Sequence, residues 1–317
     1  MSIYQFLLQK YNNNEPYADV NLPDHSDMSL GEGEVWTPGA YEGVVLRDNY
    51  GIKQHVLVNY KVARIIRKQI EDPSEKNSLK AYQAIRKYSA ISISDPVISI
   101  LLTRYKPDTS LMREEALRMA TESDKREIVK FGIALLGYCA KEEDITVLKV
   151  LGRHEEFSLY CAGALHLLMP GPAGNENLIY LSENLSGWGK IAVAYEIDYT
   201  DENARYYTVA HGCENTIGLS YLANVCATKG KMTDVMQAML DGTEVFGKYT
   251  KEQMFRGICT IFTGLLENHK TNDDMSNYKH AKKSARLFKE LLEKYPALTD
   301  TDERAEKILD DLRYFLM

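Results

Sequence analysis

Arg126-Glu127-Ile128-Val129-Lys130-Phe131-Gly132-Ile133-Ala134-Leu135-Leu136-Gly137-Tyr138-Cys139-Ala140 is the stretch that decides the fold: a charged start followed by an apolar run at helical spacing. The same event recurs three times downstream. His154-Glu155-Glu156-Phe157 leads into residues 159–168, Gly187-Trp188-Gly189-Lys190 into 191–197, and Cys213-Glu214-Asn215 into 217–227. Shorter helical patterns lie between these runs. The unit is therefore helix, turn, helix, recurring at roughly 26 to 38 residues, which is the range of α-solenoids.

Working outward, residues 79–89 pair with 97–105, the second helix opened by Asp95-Pro96 as cap and first-position proline. Residues 110–120, capped by Ser110, pair with 123–140. Residues 142–151 pair with 154–169 across Gly152-Arg153 and stop at Pro170-Gly171-Pro172. Next come 175–185 with 188–197, 201–211 with 214–227, and 233–246 with 251–267. In hairpin length and architecture, residues 79–267 resemble the HEAT and armadillo helical-repeat superfamily. Glu127-Ile128-Val129-Lys130 stands where that family opens its second helix with Asp-Val-Arg. The resemblance implies an all-α fold, a right-handed α-α superhelix whose second helices line a concave face. Most members present that face to proteins or nucleic acids, and a few resemble enzymes such as DNA glycosylases.

Before the repeats, Ser2 caps a short amphipathic helix carrying Ile3, Phe6 and Leu7. From residue 12 to 49 the chain carries Pro16, Pro23, Pro38 and four glycines, so an irregular excursion is expected. Its Leu22, Leu30, Val35 and Trp36 favour an ordered loop lying on the repeats. Residues 1–50 hold eight acidic against two basic side chains, a net of −6, whereas residues 51–90 hold nine basic against three acidic, a net of +6. The excursion is therefore expected to dock beside a helix whose Lys61, Arg64 and Lys68 oppose Val62, Ile65, Ile66 and Ile70. Past residue 271, two charged amphipathic helices, 277–295 and 301–316, read as terminal caps. The expected division is an N-terminal segment (1–50), HEAT-like repeats (51–270) and capping helices (271–317).

Composition sets the outer limits. At 44% hydrophobic and 26% charged residues, the chain has the make-up of a soluble globular protein. Its net charge of −7 and the absence of a recognised motif argue against nucleic acid as the partner. The apolar window 128–140 is interrupted by Lys130 and falls short of the ~20 residues of a membrane span. With no basic region or cleavage site around residues 3–8, a cytoplasmic location is expected. Five cysteines, none in a Cys-x-x-Cys pair, read as buried thiols.

The repeat pattern selects candidate site residues. Equivalent places on successive second helices form a ladder across the concave face, bringing Lys130, His154, Glu155, Glu156, Trp188, Lys190, Glu214 and Asn215 together. A cleft mixing an aromatic, cations and carboxylates suits a peptide, a protein or a small anionic ligand. Asp24, His25, Asp27 and Trp36 are the loop's candidates. The bland alternative is that Glu155 and Glu156 complement helix N-termini while the cations pair with them. No zincin-type His-Glu-x-x-His spacing and no phosphate loop exist, so no metal or cofactor is expected. The expected function is a non-catalytic binding scaffold. The alternative is an enzyme that hydrolyses or hydrates a small substrate, with His154, Glu155 or Glu156 acting with His25 or Asp27 delivered by the loop.

Overall fold

Ser2 opens helix α1 (Ile3–Asn12) with a reciprocal cap: its hydroxyl accepts from Gln5 N–H at 3.1 Å while Gln5 Oε1 accepts from Ser2 N–H at 3.2 Å. In this computed structural model the described residues are 1–17, 21–24, 29–31, 34–48, 56–267 and 275–316. They contain seventeen α-helices and two short hairpins of strand, so the protein is all-α.

The chain forms two compact units, Met1–Glu196 and Ile197–Met317. In the first, a small hairpin (β1 Ser29–Gly31, β2 Glu34–Val35) precedes α2 (Ala40–Asp48). Then come α3 (Val56–Glu71), α4 (Glu75–Tyr88), α5 (Ala90–Ile100), α6 (Thr109–Glu122), α7 (Arg126–Leu136), α8 (Ile145–Gly152), α9 (Glu155–Leu168), α10 (Asn175–Glu183) and α11 (Trp188–Glu196). α6 pairs with α7, α8 with α9 and α10 with α11. α5, α7, α9 and α11 lie side by side as one layer, while α1 bridges α6 and α8 on the other. Ile128, Phe131, Leu135, Leu148, Phe157, Cys161 and Leu165 are fully buried between the layers. A methyl group on Gly132 would meet Met119 and the backbone of Ala116 and Ala120 at 2.7 to 2.9 Å, so only glycine lets α7 approach α6 this closely.

The second unit holds α12 (Glu202–Tyr207), continued by a π-turn, then α13 (Ser220–Lys229), α14 (Met232–Leu240), a hairpin (β3 Val245–Phe246, β4 Tyr249–Thr250), α15 (Lys251–Leu266), α16 (Ala281–Lys294) and α17 (Ala305–Leu316). Phe255 stacks on Phe288 at 5.7 Å, and Phe262 meets Phe288 edge-on at 5.0 Å, tying α15 to α16. All five cysteines are buried thiols.

Several expected boundaries move. α5 starts at Ala90 and carries Pro96 inside it, because the Glu127 carboxylate accepts from Ala90 N–H at 2.6 Å and caps the helix six residues early. α6 is capped by Asp108 rather than Ser110. Residues 214–219 are loop, held by Asn215 Oδ1 accepting from the amides of Ile217 and Gly218. The run 233–246 ends as helix at Leu240 because Gly242, at φ +100°, turns the chain into the β3–β4 hairpin. The N-terminal excursion is not wholly irregular either: α2 forms within it.

Candidate functional site

Because α5, α7, α9 and α11 run parallel, their N-termini share one edge, and each needs acceptors for its free amides. Side chains from other elements supply them. Glu127 of α7 caps α5, and Asp24 of the N-terminal arm accepts from Arg126 N–H at 3.1 Å at the start of α7. Glu155 of α9 accepts from the amides of Ser186, Gly187 and Gly189 at 2.9, 2.7 and 2.5 Å, capping α11. Glu156 accepts from Gly39 N–H at 3.2 Å, just before α2. α9 itself is capped by His154, whose Nδ1 accepts from Glu156 N–H at 3.2 Å.

At the centre of this edge lies Lys130, fully buried one turn into α7. Its ammonium donates to Glu42 Oε1 at 2.5 Å, Glu127 Oε1 at 3.0 Å and Glu156 Oε1 at 2.7 Å. Beside it, Arg126 forks onto both oxygens of Asp24 at 2.9 to 3.1 Å and reaches Glu156 at 3.4 Å. Glu42, Glu127 and Glu156 present oxygens within 4.8 Å of one another, the arrangement of a cation cage. The cation in it is the ammonium, whose three N–H bonds match the three carboxylates.

The charges respond to this setting. Burial works against the Lys130 ammonium, but Glu156, Glu42 and Glu127 outweigh it and hold the proton more tightly than usual. Burial also disfavours the Glu156 carboxylate, yet Lys130 and Arg126 prevail and bring it down to about 2. For Glu42, desolvation wins over Lys130 and the value rises. Glu42 Oε2 has no hydrogen-bond partner, and neither has the buried hydroxyl of Tyr160, one turn after Glu156 on α9.

Of the residues chosen from sequence, Lys130, His154, Glu155, Glu156, Trp188 and Asp24 meet at this edge, and all of them fasten chain to chain. Trp188 packs its ring on α2: a methyl group at Gly43 would lie 2.2 Å from Trp188 Cε3. Lys190 is buried two residues further on. Trp36 lies edge-on to Tyr41 at 5.8 Å, within the arm. Glu214 and Asn215 belong to the second unit, where Glu214 lies 3.8 Å from His211 Nδ1. His25 and Asp27 lie outside the described residues. The arm docks on the ends of α7, α9 and α11, and among the described residues its Asp24 and Glu42 pair with Arg126 and Lys130. Glu42, Glu127, Arg126 and Tyr160 were not singled out from sequence. The i, i+3 spacing of Glu127 and Lys130 was the available signal.

The opposite edge differs in character. A methyl on Gly137 would lie 3.1 Å from Leu167 Cδ1, which brings the end of α7 against α9, and His166 Nδ1 lies 3.0 Å from the carbonyl of Glu196 at the end of α11. Along these C-terminal ends Tyr138, Leu167 and Tyr195 are 46%, 48% and 64% exposed. Among the described residues no helix is long and apolar enough to cross a membrane. Compared with known proteins, the chain matches no family model, no curated protein and no solved structure.

Proposed function

We propose that the protein is a HEAT-like binding scaffold that captures a segment of a partner protein without catalysis, across the C-terminal ends of α7, α9 and α11. The observation that carries this reading is the row of exposed Tyr138, Leu167 and Tyr195, one from each hairpin, on neighbouring helix ends. Exposed aromatic and apolar side chains in a contiguous row are the usual anchors of a protein interface. The C-terminal ends of the three helices, with the partly exposed Glu196 beside them, add partial negative charge. A peptide with apolar anchors and basic flanks fits that chemistry. The lateral packing of α5, α7, α9 and α11, each but α5 joined in a hairpin to a helix of the second layer, supports HEAT-like stacking of hairpins in this unit.

The ionic groups first favoured for a ligand groove are occupied by the chain's own arm, which makes that edge a fastening. A hydrolytic reading draws no support from them, since His154 is 2% exposed with Nδ1 engaged in capping, and Glu155 and Glu156 are held by amides and cations.

The test is site-specific photo-crosslinking in cells, with a photoreactive residue at position 138, 167 or 195 and a control at exposed Leu79 on α4. The same partner should be trapped from the three positions and lost when the other two are changed to serine. Labelling no stronger than at position 79 would sink the proposal.

A further inference from the structure

Spacings of four, three and four residues carry Leu57, Lys61, Arg64 and Lys68 along one outward stripe of α3, and all four are exposed. At the head of the stripe stand two apolar side chains, Val56 at 62% and Leu57 at 85% exposure. Beside it, Arg104 of the π-turn that continues α5 (Leu101–Tyr105) lies 5.1 Å from the ring centre of Tyr60. Arg104 also reaches the ring of Tyr105 at 6.0 Å, and Arg67 lies over that ring at 5.2 Å. Tyrosine rings and guanidinium groups thus alternate next to the stripe. Arg67 is paired with Glu71 at 2.7 Å, whereas among the described residues Lys61, Arg64, Lys68 and Arg104 carry no ion pair. Unpaired cations this close repel one another, and a partner of dense negative charge would reverse that cost.

Three kinds of polyanion could supply the charge, and the side chains separate them. A single-stranded nucleic acid stacks its bases on aromatic rings, but guanidinium groups already lie over Tyr60 and Tyr105. Val56 and Leu57 would also have no counterpart along a phosphodiester chain. An acidic peptide binds best where its anchors enter pockets, whereas these residues stand exposed on the ridge of one helix. A leaflet with anionic headgroups accommodates all of them: acyl chains for Val56 and Leu57, the headgroup level for tyrosine, and lipid phosphates and carboxylates for the cations.

We propose that the outward face of α3 lies on a membrane surface rich in anionic lipid, with Val56 and Leu57 entering the acyl boundary and Lys61, Arg64, Lys68 and Arg104 on the headgroups. Val62, Ile66 and Ile70 are buried in the protein core, so apolar contact is confined to the first turn of α3 and charge supplies most of the attraction. The charge distribution also orients the approach. Residues 56–106 hold ten basic against four acidic side chains while the whole chain is net −7, so the leaflet that attracts α3 repels the remainder. Such attachment is peripheral and needs no spanning helix. It uses none of Tyr138, Leu167 and Tyr195, so it stands or falls separately from the capture of a protein partner.

The full chain would be sedimented with vesicles of phosphatidylcholine, with and without phosphatidylserine. Binding should require phosphatidylserine and weaken as salt is added. Each cation at an anionic leaflet contributes about 5-fold in affinity, so Lys61→Gln with Arg64→Gln should cost about 25-fold. The matched pair Lys282→Gln with Lys283→Gln, exposed on α16, should leave binding unchanged. Leu57→Ser should cost about 10-fold and keep the salt dependence. These changes touch exposed side chains only, and circular dichroism would confirm that each variant folds. A polarity-sensitive dye on Leu57→Cys, attached selectively because the five natural thiols are buried, should shift to the blue on phosphatidylserine vesicles alone. Equal binding to both vesicle types, binding to neither, or a dye that stays in water while the protein sediments overturns the proposal. If polyuridylate or polyglutamate is bound and vesicles are not, the face belongs to that polyanion and the membrane assignment fails.

Discussion

Replacing Lys130 with methionine tests the N-terminal edge most directly. Methionine has similar length and fills the space, so the change removes charge without opening a cavity. The ammonium donates three bonds of 2.5, 3.0 and 2.7 Å from a fully buried position. Hydrogen bonds to charged groups contribute about 1.5 to 3 kcal/mol each, but the three share one donor and do not add. The larger effect is what remains: Glu42, Glu127 and Glu156 face one another with no ammonium between them. Breaking a buried pair from one side costs about 3 to 5 kcal/mol. Against a typical domain stability of about 5 to 15 kcal/mol, Lys130→Met should bring the first unit close to unfolding. Urea melts at neutral pH would show that loss. Wild-type Glu156 contributes stability above 4.5 that disappears as pH falls towards 2, and this depends on Lys130. The variant lacks the contribution, so the gap between the two proteins should narrow in acid. A loss below about 1 kcal/mol at neutral pH, or a gap that widens in acid, would refute the view that the ammonium holds this edge together.

Three other outcomes are expected. Leu135→Ala should destabilise by about 2 to 5 kcal/mol in denaturant melts, because Leu135 is fully buried in α7 and the cavity cannot close completely. Gly257→Ala would place a methyl 2.0 Å from the Val209 carbonyl and 2.7 Å from that of Ala210, so near-UV circular dichroism should report a distorted second unit and melts a loss of about 1 to 3 kcal/mol. Asp24→Asn weakens the fork to Arg126 while leaving a cap acceptor for its amide, and amide exchange near residues 21–24 should accelerate with the repeats still protected.

Helical period carried most of the fold. The runs after Arg126, His154 and Trp188 became α7, α9 and α11 because each is capped at the polar cluster that marks its start. Pro96 misled because a proline after aspartate is a standard helix opening, whereas the acceptor that starts α5 sits 37 residues away on Glu127. The site was half legible. Lys130 and Glu156 could be brought together by counting repeats, but their burial could not. That depends on α2, which forms in a segment whose prolines and glycines argue against helix, and which carries Glu42. Charge totals did not locate the fastening either, since among the described residues the arm's Asp24 and Glu42 pair with Arg126 and Lys130 inside the repeats.

The borrowed caps have a consequence for how such a chain can change length. Consensus repeat arrays lengthen or shorten by whole hairpins because every copy is finished within itself. Here Glu127 completes the start of α5, and Glu155 completes that of α11. Excising the α8–α9 hairpin would strip α11 of its acceptor and take Glu156 from both Lys130 and Gly39. Duplicating it would insert a second Glu155-Glu156 pair between groups that already have partners. The hairpin number of the first unit is therefore locked by its end groups, and sequence drift in this lineage is expected to proceed through substitutions and loop insertions, with whole-hairpin gain or loss confined to places outside the α5 to α11 seam.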